Sequence, residues 1–117
     1  DPVPLLMKQL SGRDLIGMST AAGAPMPLLL DVREPWEFEL AAIRIDGLET
    51  RLMPMNSVPA GCAELDPVQP IVCICHHGAR SAQVVAFLER QGFEAVYNLA
   101  GGIDAWSAQV DAGVPRY

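Results

Sequence analysis

Apolar residues in this chain come in short runs separated by turn formers, and the runs alternate between a strand-like and a helix-like pattern. "PLLLDVREPWEF" carries an apolar run over Leu28 to Val32, too short for a buried helix and suited to a strand covered on both faces. Pro35 is then placed to open a helix. "PIVCIC" (70–75) is β-branched and wholly apolar, the best strand pattern in the chain. It is followed by "RSAQVVAFLERQG" (80–92), where Val84, Val85, Phe87 and Leu88 give a helix one apolar face and Gly92 stops it. "FEAVYNL" (93–99) reads as a further strand, "RLMPM" (51–55) as an edge strand because of Pro54, and Leu5 to Gln9 as a short edge strand. Ser11 with Asp14 resembles a capping box for a helix running to Thr20, stopped by Gly23 and Pro25. "SVPAGCAELDP" (57–67) predicts a short helix ended by Pro67, and "GGIDAWSAQVDAG" (101–113) a last helix after paired glycines.

Strands alternating with helices across short connections predict an α/β domain: a small, mostly parallel five-stranded sheet with helices on both faces. The 117 residues fit one domain over 1–117, with a radius of gyration of roughly 13 Å. Sheets of this kind bind ligands beyond the carboxyl ends of their strands. Two such ends carry polar chemistry: Asp31 with Arg33 after the second strand, and Cys75 to Arg80 after the fourth.

Charge and composition narrow the classes. A formal charge of −6, with no basic stripe, argues against a nucleic-acid partner. The apolar runs fall well short of the roughly 20 residues of a membrane span. The chain opens at Asp1 without a basic and apolar leader, so a targeting segment is expected to be absent or removed. Three cysteines (Cys62, Cys73, Cys75) are odd in number and too few for a disulfide framework. A reducing compartment, the cytoplasm, is the expected location.

The densest chemistry lies in "CICHHGARSA" (73–82). With strand to Cys75 and helix from Ser81, residues 76–80 become a tight connection whose N–H groups converge, Gly78 supplying the positive φ of the curl. Those N–H groups and the helix dipole make an anion site with Cys75 at its rim. A thiol there is expected to have its thiolate favoured and to act as nucleophile. Arg80, and His76 or His77 when protonated, would add positive charge. Cys73, inside the apolar strand, reads as a small buried hydrophobe. His76 and His77 read equally well as two polar residues of a solvent-facing loop. A zinc cluster of Cys73, Cys75, His76 and His77 is disfavoured, because adjacent ligands on one strand end close a tetrahedron poorly and no second Cys-x2-Cys pair exists.

The chain resembles a single-domain rhodanese, a sulfurtransferase, over nearly its whole length. The match runs from "LLLDVREPWEF" through "PIVCICHHGARSAQVVAFLERQGF" to "VYNLAGGIDAWSAQVDAGVP". The resemblance implies that Cys75 takes a sulfane sulfur from a small anionic donor such as thiosulfate, becomes a persulfide, and passes the outer sulfur to cyanide or a thiol. No cofactor is implied beyond that covalent intermediate, and no metal. His76, His77, Gly78, Ala79, Arg80 and Ser81 would bind the donor, while Asp31 and Arg33 would brace the loop from the neighbouring strand end. Gly101, Gly102 and Trp106 read as turn and packing residues. Where rhodaneses often show Gly-His-Ile-Pro-Gly-Ala, this chain has "AAIRIDGLE", keeping only Ile45 and Gly47, which leaves the shape of that loop and partner recognition open. Cysteine-dependent phosphatases use a similar cradle, with five residues between Cys and Arg. Here four separate Cys75 from Arg80. Two other readings remain: a relay passing persulfide sulfur between proteins, and a non-catalytic interaction module, against which Cys75 argues.

Overall fold

Leu28, Leu29 and Leu30 are all buried, yet they serve different cores. Side chains alternate across a strand, so Leu28 and Leu30 join Ile71 and Cys73 on one face of the sheet, while Leu29 joins Val72 and Ile74 on the other. The computed structural model describes residues 8–117 except 21, 22 and 24. Its elements are β1 (Gln9–Leu10), α1 (Gly12–Thr20), β2 (Leu28–Asp31), α2 (Pro35–Leu40), β3 (Thr50–Leu52), α3 (Val58–Gly61), β4 (Ile71–Ile74), α4 (Ala79–Arg90), β5 (Val96–Leu99) and α5 (Gly102–Gln109).

The five strands lie in the order β1-β5-β4-β2-β3, and every pairing is parallel. β4 is central, with Cys73 opposite Leu30 on one side and Asn98 on the other. One face is covered from α3 and α4 by Val58, Val84, Val85 and Leu88. The other is covered from α1 and α5 by Leu15, Ile103 and Trp106. The expected α/β sheet with helices on both faces is therefore present, and the radius of gyration is 13.1 Å.

Several boundaries differ from expectation for identifiable reasons. The first strand is Gln9–Leu10, and residues 5–7 of the expected strand lie outside the described residues. The Ser11/Asp14 box forms, each side chain taking the other's backbone N–H at 3.1 and 3.3 Å. β3 is an edge strand that ends before Pro54, which lacks an N–H to continue the ladder. Residues 55–64 make a 3-10 turn, the four residues of α3 and a second 3-10 turn instead of one helix, with Pro59 and Gly61 in their midst. The strand expected over 93–99 begins only at Val96, because Phe93 is held by its N–H to the Leu88 carbonyl (3.1 Å) and packs into the core. The last helix ends at Gln109, short of Gly113. The "AAIRIDGLE" segment makes a short turn, Leu48 N–H to Ile45 C=O at 3.0 Å, and passes directly into β3.

Candidate active site

Cys75 follows β4 directly and is 1% exposed. α4 starts at Ala79, one residue ahead of the 80–92 pattern and two ahead of the Ser81 start expected for the loop, so the connection shrinks to His76, His77 and Gly78. Gly78 takes φ 108°, a conformation that a side chain opposes, and turns its N–H onto the Cys75 Sγ at 3.0 Å. The N–H groups of Ala79, Arg80 and Ser81 then form the first helical turn, which has no intrahelical carbonyl to bond. Residues 76–81 thus curl from the end of β4 into the first turn of α4, the last three of them helical.

Ser81 is fully buried, its Oγ 3.2 Å from the Cys75 Sγ. The same hydroxyl meets the Oδ1 of Asn98, a β5 residue whose Nδ2 donates to the Gly78 carbonyl at 3.1 Å. A hydroxyl has one proton. When it goes to Asn98, the Cys75 thiol must donate to Ser81; when Cys75 is a thiolate, Ser81 can turn its proton to sulfur. Sequence reading missed Asn98, which lies 17 positions from Ser81 and carries no local signal.

The carbonyl side of the loop is anchored by α5. Its Ile103 and Asp104 N–H groups donate to the carbonyls of Cys75 (2.9 Å) and His76 (3.1 Å). The Cys75 and His76 carbonyls thus face α5, and the Gly78 N–H is directed at the sulfur.

Charge is arranged differently from the sequence expectation. Arg80 is not a free cation: Glu37 of α2 holds its guanidinium at both oxygens, at 2.7 and 2.9 Å. That pair, with the Glu34 N–H and the Tyr117 hydroxyl, depresses the Glu37 carboxyl from 4.5 to about 2. Stability linked to Glu37 is therefore present above about pH 4.5 and lost as pH falls toward 2. The depression corresponds to about 3 kcal/mol, and with Arg80 one-third exposed about 2 kcal/mol is the expected net contribution. Urea denaturation of Glu37→Gln should show that loss at pH 7 and a shallower decline of stability between pH 4.5 and 2.

His76 also contributes no charge at neutral pH. Burial pushes its imidazole below the ordinary 6.5, and His77 acts in the same direction. The ring lies between His77 (centroids 4.0 Å, 25°) and Tyr117 (4.0 Å, 8°). His77 is exposed.

Asp31 and Arg33 are both fully buried and paired, Nη2 to Oδ2 at 2.7 Å and Nε to Oδ1 at 2.9 Å. Arg33 does not reach the loop as expected. It ties down the carbonyls of Glu37 (3.3 Å) and Ala41 (2.6 Å) and donates to the Tyr117 hydroxyl at 2.7 Å. Burial raises the Tyr117 phenol, which stays protonated and donates to Glu37 at 2.9 Å. The brace is therefore indirect, running Asp31–Arg33–Tyr117–Glu37–Arg80. Glu37 and Tyr117 were not singled out from sequence; Glu37 stands in the quoted "DVREPWEF", whereas no local pattern marks Tyr117.

The four residues weighed as a zinc cluster do not converge: Cys73 is fully buried in the core beneath α4, where burial pushes its thiol up. His76, His77 and Asp104 do place ligand atoms within 4.8 Å of one another. Arg116 already engages both Asp104 oxygens, at 3.1 and 3.2 Å.

A profile of the Rhodanese-like domain matches residues 14–109, most of the chain and the whole of the cup. The chain belongs to the rhodanese-like family. It is 39% identical over 93 residues, 76% of its length, to Rhodanese-like/PpiC domain-containing protein 12, chloroplastic, of Arabidopsis thaliana, of which it spans 30%. It is 40% identical over 80 residues, 68% of its length, to a protein of Allochromatium vinosum named Sulfurtransferase, of which it covers 71%. The crystal structure of a rhodanese-like domain protein from Staphylococcus aureus superposes with a TM-score of 0.73 at 27% identity, covering 95% of this chain and 99% of that one. Among the described residues of this rhodanese-like domain, no helix is long and apolar enough to cross a membrane.

Proposed function

We propose that this rhodanese-like domain is a sulfurtransferase acting through a Cys75 persulfide. The observation that carries the reading is the placement of the Cys75 sulfur: held by the Gly78 N–H and set against the Ser81 hydroxyl, at the open first turn of α4. The Cys75 thiolate attacks the outer sulfur of thiosulfate. The new S–S bond forms as the S–SO3 bond breaks, and sulfite leaves with the electron pair. A nucleophile, cyanide or a thiolate, then attacks the outer persulfide sulfur, giving thiocyanate or a new persulfide and returning the Cys75 thiolate. The N–H groups of the cup stabilise both the incoming anion and the persulfide without reorganising. The similarity to a protein named Sulfurtransferase supports the same chemistry.

A second reading, relay of sulfur from a thiol-borne persulfide, has its own support. Glu37 offsets Arg80 and His76 is uncharged, so the cup offers a dianion mainly backbone N–H groups. Trp36, 63% exposed on α2, packs edge-on against Tyr117 (6.1 Å, 74°) and gives a protein partner an apolar contact beside the site. In this reading the location is the cytoplasm, the reducing compartment that three free thiols suit.

Intact-mass spectrometry after incubation with thiosulfate, and separately with glutathione persulfide, tests both. The expected result is a gain of about 32 Da, one sulfur, mapped to Cys75. A clear excess with glutathione persulfide favours relay. No adduct with either donor, or an adduct confined to Cys62, overturns the assignment.

A further inference from the structure

We propose that Tyr117 is a positioning residue of this site: it lies flat on His76 beside Cys75, shields that imidazole from water, and ties Glu37 to Arg33. The inference rests on the sulfur-transfer reading and concerns what sets the charge that a donor meets. Three observations carry it. First, the phenol ring is nearly parallel to His76 at van der Waals distance, 4.0 Å and 8°, and His77 stacks at 4.0 Å as well. Second, the His76 Nε2 is cut off from solvent and has no hydrogen-bond partner among the described residues. Protonation would place an N–H in that buried position without a well-aligned acceptor, which is costly. Third, the Tyr117 hydroxyl accepts from Arg33 at 2.7 Å and donates to Glu37 at 2.9 Å, so the ring is fixed at both its face and its tip.

The charged and titratable groups facing His76 are His77 in the loop, Asp104 on α5 and Glu37 on α2. Burial, the largest influence, and His77 hold the imidazole uncharged; the two carboxylates and the Tyr117 backbone favour an imidazolium but are outweighed. Asp104 is also paired with Arg116 and Glu37 with Arg80, so their pull on a His76 proton is partly offset. The Tyr117 ring, stacked on one face of His76, adds to the burial side of that balance. An uncovered His76 would titrate near neutrality and turn an uncharged wall of the cup into a cation at mildly acidic pH.

The test compares Tyr117→Phe, which keeps the ring and loses the hydroxyl, with Tyr117→Leu and Tyr117→Ala. The first readout is the NMR titration of His76 in the intact chain, which needs no turnover. In Tyr117→Ala its midpoint should move upward toward the ordinary 6.5, and in Tyr117→Leu it should move the same way by less. In Tyr117→Phe it should stay at the wild-type position. The second readout is the rate of Cys75 persulfide formation from thiosulfate between pH 8 and pH 6. The ratio of Tyr117→Ala to wild type should rise about 3- to 10-fold as the pH falls, the size of one added charge near a dianion, while the ratio for Tyr117→Phe stays flat. Loss of packing alone would lower rates without such a pH trend. An unchanged His76 midpoint in Tyr117→Ala and Tyr117→Leu overturns the proposal, as does the same rise in Tyr117→Phe. If wild type forms no persulfide with any donor, the sulfur-transfer reading fails, and the NMR titration still decides the role of Tyr117.

Discussion

Replacing Cys75 by serine is expected to lower sulfur transfer by at least about a thousandfold, whereas Cys73→Ala should keep it within about threefold of wild type. Both thiols are buried and stand two positions apart on the same face of the sheet, so the contrast tests placement rather than exposure. The sulfur of Cys75 has donors from Gly78 and Ser81 and ends at the open turn of α4. The Cys73 sulfur is wrapped in apolar side chains, where burial keeps it a thiol. Serine keeps the size and hydrogen bonds of Cys75, so the variant should fold normally. Its hydroxyl cannot form a persulfide. Cys73→Ala should show its cost elsewhere: one atom removed from a filled core is worth about 1 kcal/mol, or about 4 °C in melting temperature for a domain of this size. Steady-state transfer from thiosulfate to cyanide, run beside thermal denaturation, separates the two effects. Equal loss of activity in both variants, with melting curves intact, would remove Cys75 from its assigned role.

The parts of this site legible in the sequence are those encoded over a few neighbouring residues. The apolar run into Cys75, the glycine three positions on and the apolar face of the following helix specify a strand, a tight curl and a helix that must point its first turn at the sulfur. Only the start of that helix was misjudged. Apolar periodicity begins at its buried positions, while Ala79 and Arg80 are helical without being buried. The electrostatics were not legible, because they arise between distant segments. Glu37 and Arg80 are 43 positions apart, and Arg33 and Tyr117 are 84 apart. Nothing local distinguishes Glu37 from Glu39 until the sheet order places α2 beside the loop. The same applies to His76, whose ring stacks on a tyrosine at the far end of the chain. A local pattern thus singles out Cys75 as the candidate nucleophile, and tertiary contacts decide what charge surrounds it.

The paired glycines that open α5, read from sequence as a turn, set the position of the loop after Cys75, and Gly102→Ala should be among the most damaging single changes in the chain. A Cβ at Gly102 would fall 2.4 Å from the carbonyl oxygens of both Cys75 and His76. These are backbone atoms, held by the N–H groups of Ile103 and Asp104, and cannot swing aside as a flexible side chain could. The residue also sits at φ 61°, which adds about 1 kcal/mol for any side chain. Relief requires α5 and the loop to separate, stretching both anchoring hydrogen bonds, each worth about 1 kcal/mol. Together with disturbed packing at Ile103 and Trp106 the expected loss is about 3 to 5 kcal/mol, in the range reserved for strain and core disruption. Gly47→Ala is the matched control. It carries the same kind of positive φ, 87°, with nothing within 4 Å of the added carbon, so it should cost only the conformational part, about 1 kcal/mol. Urea denaturation of the two variants measures the difference, and the rate of Cys75 alkylation reports whether the sulfur has lost its setting. Faster alkylation in Gly102→Ala with Gly47→Ala at the wild-type rate is the expected pattern. Equal stability of the two variants would mean that the loop yields to α5 at little cost, and that the close approach at Gly102 does not hold the cup in place.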